Sequence, residues 1–277
     1  MLYTAQQTTD LPETGFHYLL TSFSGHVLTI TLNRPEKKNA LHPPMLAEIA
    51  FALTHAQHNP AVWLIVLAAA GDTFCAGMDL KSLATGSSET PAVPEPSGPV
   101  RLGELMQQLD KPTIARVQGG VYAGGFLLVA GCTYAVAAES AVFSLPEVKR
   151  GLFPFQVLAL LLDLMPARKA LDLCLRAHTL SAADAQTIGL ITDVAPPDQL
   201  ETAVNQLVNE LTQFSPTAMQ FGLRARRQLK SLPSEQQQAY LYEQFVQLQQ
   251  TPDAQEGMAA FLEKRPPVWS GDDSTFR

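Results

Sequence analysis

The sequence is poor in cysteine, in clustered histidine and in positive charge. It has three cysteines, six histidines and 16% charged residues, with a formal net charge of −7. Cys75, Cys132 and Cys174 show no CxxC spacing and lie in apolar surroundings, which predicts buried free thiols. The histidines have neither HxxxH nor HxH spacing, so we expect no metal site. The acidic balance argues against nucleic acid as a partner, because phosphate contacts need clustered Lys and Arg.

Long apolar runs are also missing. The longest candidate, residues 152–165, is too short for a membrane span and is interrupted by Pro154 and Asp163. The first sixteen residues have neither the charged start and apolar core of a signal peptide nor the arginine-rich pattern of a transit peptide. These absences predict a soluble, cytoplasmic protein with no membrane partner.

What the chain does contain is enough apolar residues, 46% of 277, for one large core. Alternation of strand and helix patterns, followed by helices alone, predicts an α/β fold with a helical C-terminal region. We predict an irregular arm over residues 1–16, a core over 17–200 and the helical region over 201–277. Residues 82–99, rich in Ser, Gly and Pro, are predicted to form a mobile loop. Strands are predicted at 26–32, 62–69, 113–117 and 191–194, and helices at 45–58, 102–109, 157–164, 167–175, 181–188, 198–214, 217–232, 234–249 and 253–263.

Residues 113–151 carry the most informative pattern. An apolar strand pattern breaks on two glycines, and a second pair, Gly124 and Gly125, precedes an apolar run to residue 130. We predict a strand, a glycine turn and a buried helix. Glycines at a helix start let a ligand approach unpaired N–H groups, a setting that suits an oxygen becoming negative. Alternatively, these glycines only allow tight packing of helix on strand.

Three segments in order strengthen the first interpretation. FCAGMDLK at 74–81, KPTIARVQGGVYAGG at 111–125 and FSLPEVKRGL at 143–152 follow an opening motif, NRP at 33–35 with NAL at 39–41. Together they resemble the crotonase superfamily, the enoyl-CoA hydratases and isomerases. The resemblance implies a spiral of ββα units whose C-terminal helices join subunits into a homotrimer or a dimer of trimers. It also implies an acyl-CoA substrate, with coenzyme A as part of that substrate and no separate cofactor.

Chemistry on a thioester enolate needs two donors on the carbonyl oxygen and a base beside the α-carbon. By motif position, the resemblance assigns the donors to the backbone N–H groups of Met78 and Gly124. It assigns the base to Glu147. The substrate-binding residues that the resemblance implies surround these three: Asn39, Ala40, Leu41, Ala76, Gly77, Asp79, Leu80, Lys81, Gly125 and Leu127.

The hydratases of this superfamily carry a second glutamate on the helix after the glycines, where this chain has Leu127. Leu127 lies three residues after Gly124 and therefore on the same helix face. A leucine cannot activate water, and a drier pocket should raise the pKa of Glu147. A lone carboxylate suits proton transfer from C2 to C4, so the pattern is similar to the 3,2-enoyl-CoA isomerases.

Several alternatives remain open from sequence. The reaction could be hydration with another acid, or decarboxylation of an acyl-CoA or acyl-carrier protein thioester; a non-catalytic acyl-CoA-binding relative is a further alternative. Glu147 could instead be a surface residue balanced by Lys149 and Arg150.

Two residues depart from the usual motif: Ala123 stands where a third glycine is common, and Phe126 is bulkier than usual. The interpretation favoured for Phe126 is packing in the core. A basic run could meet CoA phosphate, although a solvated helix end or a subunit contact is favoured: Arg224, Arg226, Arg227 and Lys230.

Overall fold

The computed structural model describes residues 1–13, 15–86 and 89–271. Within them the strands are β1 (Leu19–Ser24), β2 (Val27–Leu32), β3 (Leu64–Ala69), β4 (Thr73–Cys75), β5 (Thr113–Val117), β6 (Gly120–Tyr122), β7 (Tyr134–Ala138), β8 (Val142–Ser144), β9 (Thr179–Ser181) and β10 (Asp193–Ala195). The helices are α1 (Pro43–His58), α2 (Leu80–Thr85), α3 (Leu102–Gln107), α4 (Phe126–Val129), α5 (Phe155–Leu164), α6 (Ala167–Arg176), α7 (Ala182–Thr187), α8 (Leu200–Leu211), α9 (Pro216–Leu229), α10 (Ser234–Gln249) and α11 (Pro252–Glu263).

A six-stranded sheet in the order β1-β2-β3-β5-β7-β10 forms the frame of the molecule. Only β1 and β2 pair antiparallel, and the other neighbours are parallel. All of β3 is buried, as expected for a strand covered on both faces. Its alternating side chains divide between two clusters: Ile65 and Leu67 enter the main core, while Leu64 and Val66 face α8.

A second sheet, β4-β6-β8-β9, runs beside the first. β4, β6 and β8 are parallel, and β9 pairs antiparallel with β8. The chain therefore repeats one step: a long strand enters the large sheet, a three-residue strand enters the small sheet, and a helix follows. The steps β3-β4-α2, β5-β6-α4 and β7-β8-α5 are the ββα units that the resemblance implies, and the predicted α/β class is confirmed.

The predicted strands and helices correspond to observed elements, whereas several further strands, most of them short, were not predicted. The predicted strand at 113–117 and the helix at 234–249 have the bounds observed for β5 and α10. β1, β4, β6, β7, β8 and β9 were not predicted. The glycine stretch contains β6 between β5 and α4, and it was predicted as a turn alone. β4, β6, β8 and β9 have three residues each, too few for a period-2 pattern to be recognised.

The predicted mobile loop at 82–99 differs from the structure. Its first residues extend α2 to Thr85, and its later part is held to the N-terminal arm and α1. Tyr3 donates to the Pro94 carbonyl at 2.8 Å, and Ser97 donates to the Leu2 carbonyl at 2.8 Å. The arm itself lacks helix and strand over residues 1–13, but Tyr3 is 4% exposed and packs on Phe51. Two residues of this loop (Ser87 and Ser88), Thr14 of the arm and residues 272–277 lie outside the described residues.

Glu48 of α1 is the anchor of this region. Its carboxylate is fully buried and accepts hydrogen bonds from the backbone N–H groups of His17, Tyr18 and Ala92. One side chain thus holds both the entry to β1 and the loop before α3. A buried carboxylate is tolerated here because three amides replace its water.

The C-terminal helices differ in what they cover. Val204 and Leu211 of α8 pack on the outer face of the large sheet. The helix α8 therefore covers the sheet, although it follows the range 17–200 that was predicted as the core. α9, α10 and α11 pack on one another. None of the α10 side chains is buried. These last two helices and the segment after them expose large apolar side chains: Tyr242, Phe245, Val246, Met258, Phe261, Leu262 and Val268.

Candidate active site

Three parallel strands of the small sheet end at one edge, and each delivers a segment that the sequence singled out. β4 leads to Ala76 and Met78, β6 leads to the 3-10 turn Ala123–Gly125, and β8 leads to Glu147. Because the carboxyl ends of parallel strands meet at the same edge, the three segments converge. The predicted donors and the predicted base therefore share one site.

The backbone N–H of Met78 points away from the segment around Leu41 with which Met78 pairs. Leu41 pairs with Met78 in a parallel bridge, where the Leu41 N–H donates to the Gly77 carbonyl and the Asp79 N–H donates to the Leu41 carbonyl. Successive amides of an extended chain point to opposite sides, so the Met78 N–H faces the opposite side, towards Gly124. A Cβ built on Gly124 would lie only 3.6 Å from the Met78 nitrogen.

The Gly124 N–H lies in the first turn of its 3-10 helix and so has no acceptor within that helix. The two segments approach closely because Gly77 has no side chain. Its φ is +86°, and a Cβ there would lie 2.6 Å from the Ala123 Cβ and 3.0 Å from the Gly124 nitrogen. The pair of amides can stabilise one oxygen that becomes negative.

Gly125 and Ala123 complete the turn. A Cβ on Gly125 would lie 2.9 Å from both the Cβ and the carbonyl oxygen of Cys75, so this position needs glycine. Ala123 has a φ of +48°, in the left-handed region that favours glycine. A third glycine, which the resemblance implies at this position, would adopt this φ without strain. Phe126 is fully buried and packs edge-on against Phe143, which confirms the core-packing interpretation.

An ion pair fixes the segment that carries Met78. Arg34 Nη1 lies 2.9 Å from Asp79 Oδ2 and also donates to the Ala40 carbonyl at 3.1 Å. The Arg34 guanidinium, as the largest influence, holds the pKa of Asp79 below its ordinary value. The other oxygen of Asp79 caps α2 by accepting from the amides of Lys81 and Ser82. The NRP motif therefore acts on the Met78 segment through Arg34, a role that sequence reasoning missed.

Asn39 is fully buried and holds the loop before α1. Its side chain accepts from the Arg34 amide and donates to the carbonyls of Ala70 and Thr73. These hydrogen bonds engage the polar atoms of the Asn39 side chain within the loop itself. Its neighbours Lys38 and Leu41 line the cavity described below. The predicted contact of residues 39–41 with the nucleotide portion of CoA stays a prediction.

Glu147 opens the 3-10 turn Glu147–Arg150 that follows β8. Its Oε2 atom is buried and has no hydrogen-bond partner among the described residues. Burial raises the pKa of Glu147, opposed by its own backbone N–H and by Arg150. Behind it lies Cys174, whose thiol pKa is raised to about 11 by burial and then by the Glu147 carboxylate. This placement contradicts the alternative of a surface residue balanced by Lys149 and Arg150.

One cavity of about 1030 Å³ brings these groups together. It is lined by Met78, Gly124, Leu127 and Glu147, so the leucine in the position of the second glutamate faces the same space as the carboxylate. Sequence reasoning missed several lining residues, which come from helices, a strand and loops far apart in the chain: Leu46, Val100, Leu102, Tyr122, Leu152, Phe153, Phe155 and Val157.

The remaining predicted binding residues take different places. Ala76 and Leu80 line the cavity, and Leu80 is half exposed at its rim. Lys81 is exposed at the start of α2. Its predicted contact with CoA phosphate stays a prediction.

The basic run on α9 makes ion pairs within the chain. Arg224 and Arg227 pair with Asp110, and Lys230 pairs with Asp163. Arg226, Arg227 and Lys230 line a separate cavity of about 310 Å³. The described residues contain no cluster of three or more His, Cys, Asp or Glu side chains able to hold a metal ion. Across the same residues, no helix combines the length and apolarity needed to cross a bilayer.

Comparison with known proteins places this arrangement in a family. The family model described as enoyl-CoA hydratase/isomerase matches residues 22–272. Enoyl-CoA hydratase EchA19 of Mycobacterium tuberculosis is 35% identical over 247 residues, covering 88% of this chain and 92% of its own. Mevalonyl-coenzyme A hydratase sidH of Aspergillus fumigatus is 33% identical over 253 residues, covering 88% and 91%. The chain therefore belongs to the enoyl-CoA hydratase/isomerase family, a family of acyl-CoA enzymes.

Solved structures agree with this assignment. The crystal structure of an enoyl-CoA hydratase from Mycobacterium tuberculosis superposes with a TM-score of 0.83 at 30% identity, covering 92% of this chain and 99% of the other. One from Mycobacterium smegmatis gives a TM-score of 0.81 at 31% identity, covering 91% and 98%. The crotonase-type fold is confirmed.

Proposed function

We propose that this protein isomerises enoyl-CoA, moving a double bond from the 3,4 to the 2,3 position of the acyl chain. In this proposal the thioester carbonyl binds the N–H groups of Met78 and Gly124. The Glu147 carboxylate faces C2 and C4 of the acyl chain. Coenzyme A is the carrier portion of the substrate, and no separate cofactor takes part.

The proposal rests on the surroundings of the Glu147 carboxylate, which lines the same cavity as Leu127. A buried carboxylate oxygen with no hydrogen-bond partner among the described residues shares a cavity with both amides. A leucine, 5% exposed, occupies the position at which a second carboxylate could orient water. One acid in apolar surroundings suits the transfer of a proton between two carbons better than the addition of water.

The steps balance without water or a redox partner. Glu147 removes a proton from C2, and the electrons of that bond delocalise onto the thioester oxygen. The two amides stabilise this oxygen, with each donor contributing about 10²–10³ in rate. The protonated Glu147 then gives its proton to C4, and the double bond forms between C2 and C3. Burial raises the pKa of Glu147, which helps the carboxyl group act as an acid in the second step.

The experiment is turnover of a 3-enoyl-CoA by the wild type and by Glu147→Gln. The amide keeps the shape but cannot accept the proton, so we expect a loss of about 10²–10⁴-fold in kcat. Binding of a saturated acyl-CoA should survive, because the two backbone amides and the cavity remain. Turnover retained in Glu147→Gln would exclude the proposed role of this residue.

Hydration is the second candidate, and the relatives favour it. EchA19 and sidH are both named as hydratases, and the family description covers hydratases as well as isomerases. Water addition to crotonyl-CoA by the wild type separates the two functions. Robust addition would favour hydration and defeat the proposed consequence of Leu127.

We also propose that the subunits assemble as a homotrimer or as a dimer of trimers. Support comes from the apolar side chains that α10 and α11 expose, among them Tyr242, Phe245 and Phe261. Large apolar side chains exposed on neighbouring helices are typical of an interface. Light scattering of the purified protein tests this; a monomer would exclude the assembly.

A further inference from the structure

The cavity has an apolar end built by four helices. Leu46 of α1, Leu102 of α3, Leu127 of α4 and Val157 of α5 all line it, and each is between 2% and 8% exposed. α3 packs against the other three helices, and α4 packs against α5, so these four residues bound one space. We call this space, defined by the four residues, the acyl chamber.

Charge is confined to other parts of the cavity. Its charged lining residues, among the described ones, are Lys38 of the loop before α1, and Glu147 and Arg150 of the turn after β8. None of these lies on the four helices that form the acyl chamber. Gln156 of α5 also lines the cavity, but its side chain is exposed. A carboxylate or hydroxyl entering the chamber would lose its water and gain no side-chain donor from Leu46, Leu102, Leu127 or Val157.

The size of the cavity adds to this argument. Its volume of about 1030 Å³ lies at the upper end of small-molecule pockets, which span roughly 300–1,000 Å³. The site also continues outward along apolar side chains, with Leu152 and Phe155 at its rim more than half exposed. A two-carbon extension beyond the thioester would leave most of this apolar lining without contact.

We propose that the protein selects acyl-CoA substrates with an extended or bulky hydrocarbon acyl group that has no polar or charged end. This inference rests on the proposed function, because it takes the carbonyl to lie at the Met78 and Gly124 amides. From there the hydrocarbon runs past Leu127 into the acyl chamber. The driving force is burial of methylene groups, and the exclusion of polar ends follows from their lost hydration.

The test is binding of saturated acyl-CoA esters, which cannot be isomerised. Calorimetry with butanoyl-, hexanoyl- and decanoyl-CoA measures the effect of length, and the ω-carboxy form of decanoyl-CoA measures the effect of charge. Full burial of a methylene is worth about fourfold in affinity, so we expect at least about 50-fold tighter binding of decanoyl-CoA than of butanoyl-CoA. The ω-carboxylate should cost about 100-fold relative to decanoyl-CoA.

Two variants test whether the dependence of affinity on acyl-chain length arises in the acyl chamber. Leu46→Phe and Val157→Phe fill it from different helices, and each should weaken decanoyl-CoA binding at least tenfold while changing butanoyl-CoA binding less than twofold. Leu20→Phe is the matched control, because Leu20 lies half exposed on β1 and outside the cavity lining. It should bind the whole panel like the wild type. Using two positions keeps the test valid if one variant does not fold.

The outcomes separate this inference from the proposed function. Length-dependent binding without turnover of any 3-enoyl-CoA would support the acyl class and exclude isomerisation. Turnover of short 3-enoyl-CoA with affinity independent of length would support isomerisation and overturn the acyl class. Equal affinity for decanoyl-CoA and its ω-carboxy form would also overturn it, as would a failure of every ester to bind.

Discussion

Replacing Leu127 with glutamate tests why this site should move protons without adding water. The substitution puts a carboxylate at the position that holds the second glutamate in hydratases, within the cavity that contains Glu147. If the leucine is what prevents water activation, Leu127→Glu should gain addition of water to crotonyl-CoA. General acid–base groups contribute about 10²–10⁴-fold, so a rise of at least 10²-fold over the wild type is expected.

The structure also sets the cost of this change. Leu127 is 5% exposed, and its Cδ2 atom would lie 3.5 Å from a Cβ placed on Gly103 of α3. Losing a buried leucine and desolvating a carboxyl group should lower the free energy of unfolding by about 2–4 kcal/mol. The new carboxyl group also adds a like charge near Glu147, which should raise the pKa of Glu147 further.

Leu127→Gln is the matched control for this experiment. It has the shape of the glutamate and a similar stability cost, but it cannot exchange a proton with water. We expect the gain in hydration, followed by the loss of enoyl-thioester absorbance, in the glutamate variant alone. An equal gain in the glutamine variant, or a wild type that already hydrates crotonyl-CoA as fast as Leu127→Glu, would contradict the proposed effect of Leu127.

Three further predictions concern the backbone around the amides. Gly77→Ala should lower turnover by about 10²–10³-fold, because its Cβ would lie 2.6 Å from the Ala123 Cβ and force the two amides apart; Gly25→Ala, also at positive φ but with open space, should leave kcat unchanged. Arg34→Met should lower the free energy of unfolding by about 3 kcal/mol in urea titrations. Arg34 depresses the pKa of Asp79 in the folded state, so the ion pair contributes its full stability above the pKa that Asp79 has in the unfolded chain. This stability is lost as the pH falls through the pKa of Asp79 in the folded protein. The difference in unfolding free energy between Arg34→Met and the wild type should therefore disappear at low pH. Ala123→Gly should raise the unfolding free energy by about 1 kcal/mol, because it relieves the left-handed alanine; an unchanged or lower value would contradict this.

The sequence was sufficient for the parts of the site that are local in the chain. Glu147, Gly124 and Met78 stand in short motifs whose spacing survives folding, and Leu127 follows Gly124 on the same short helical segment. Burial of β3 was visible because six apolar residues stand together. These predictions needed no knowledge of which elements pack against each other.

Contacts between distant residues could not be predicted. Arg34 meets Asp79 across 45 positions, and nothing in either motif indicates the other. Glu48 accepts a hydrogen bond from the backbone amide of Ala92. The sequence around Ala92 has the pattern of any polar loop and does not indicate this contact. The acyl chamber likewise depends on how α1, α4 and α5 pack against α3, and only the folded chain reveals it.

Solvent-deuterium exchange at C2 of a saturated acyl-CoA tests most directly whether Glu147 forms an enolate at the two amides. The reaction depends on enolate formation alone, whatever product follows. The wild type should exchange the C2 protons in deuterated water, with Glu147→Gln at least about 10²-fold slower while binding the same ester. Exchange at the wild-type rate in Glu147→Gln, or no exchange by a wild type that binds the ester, would contradict the account.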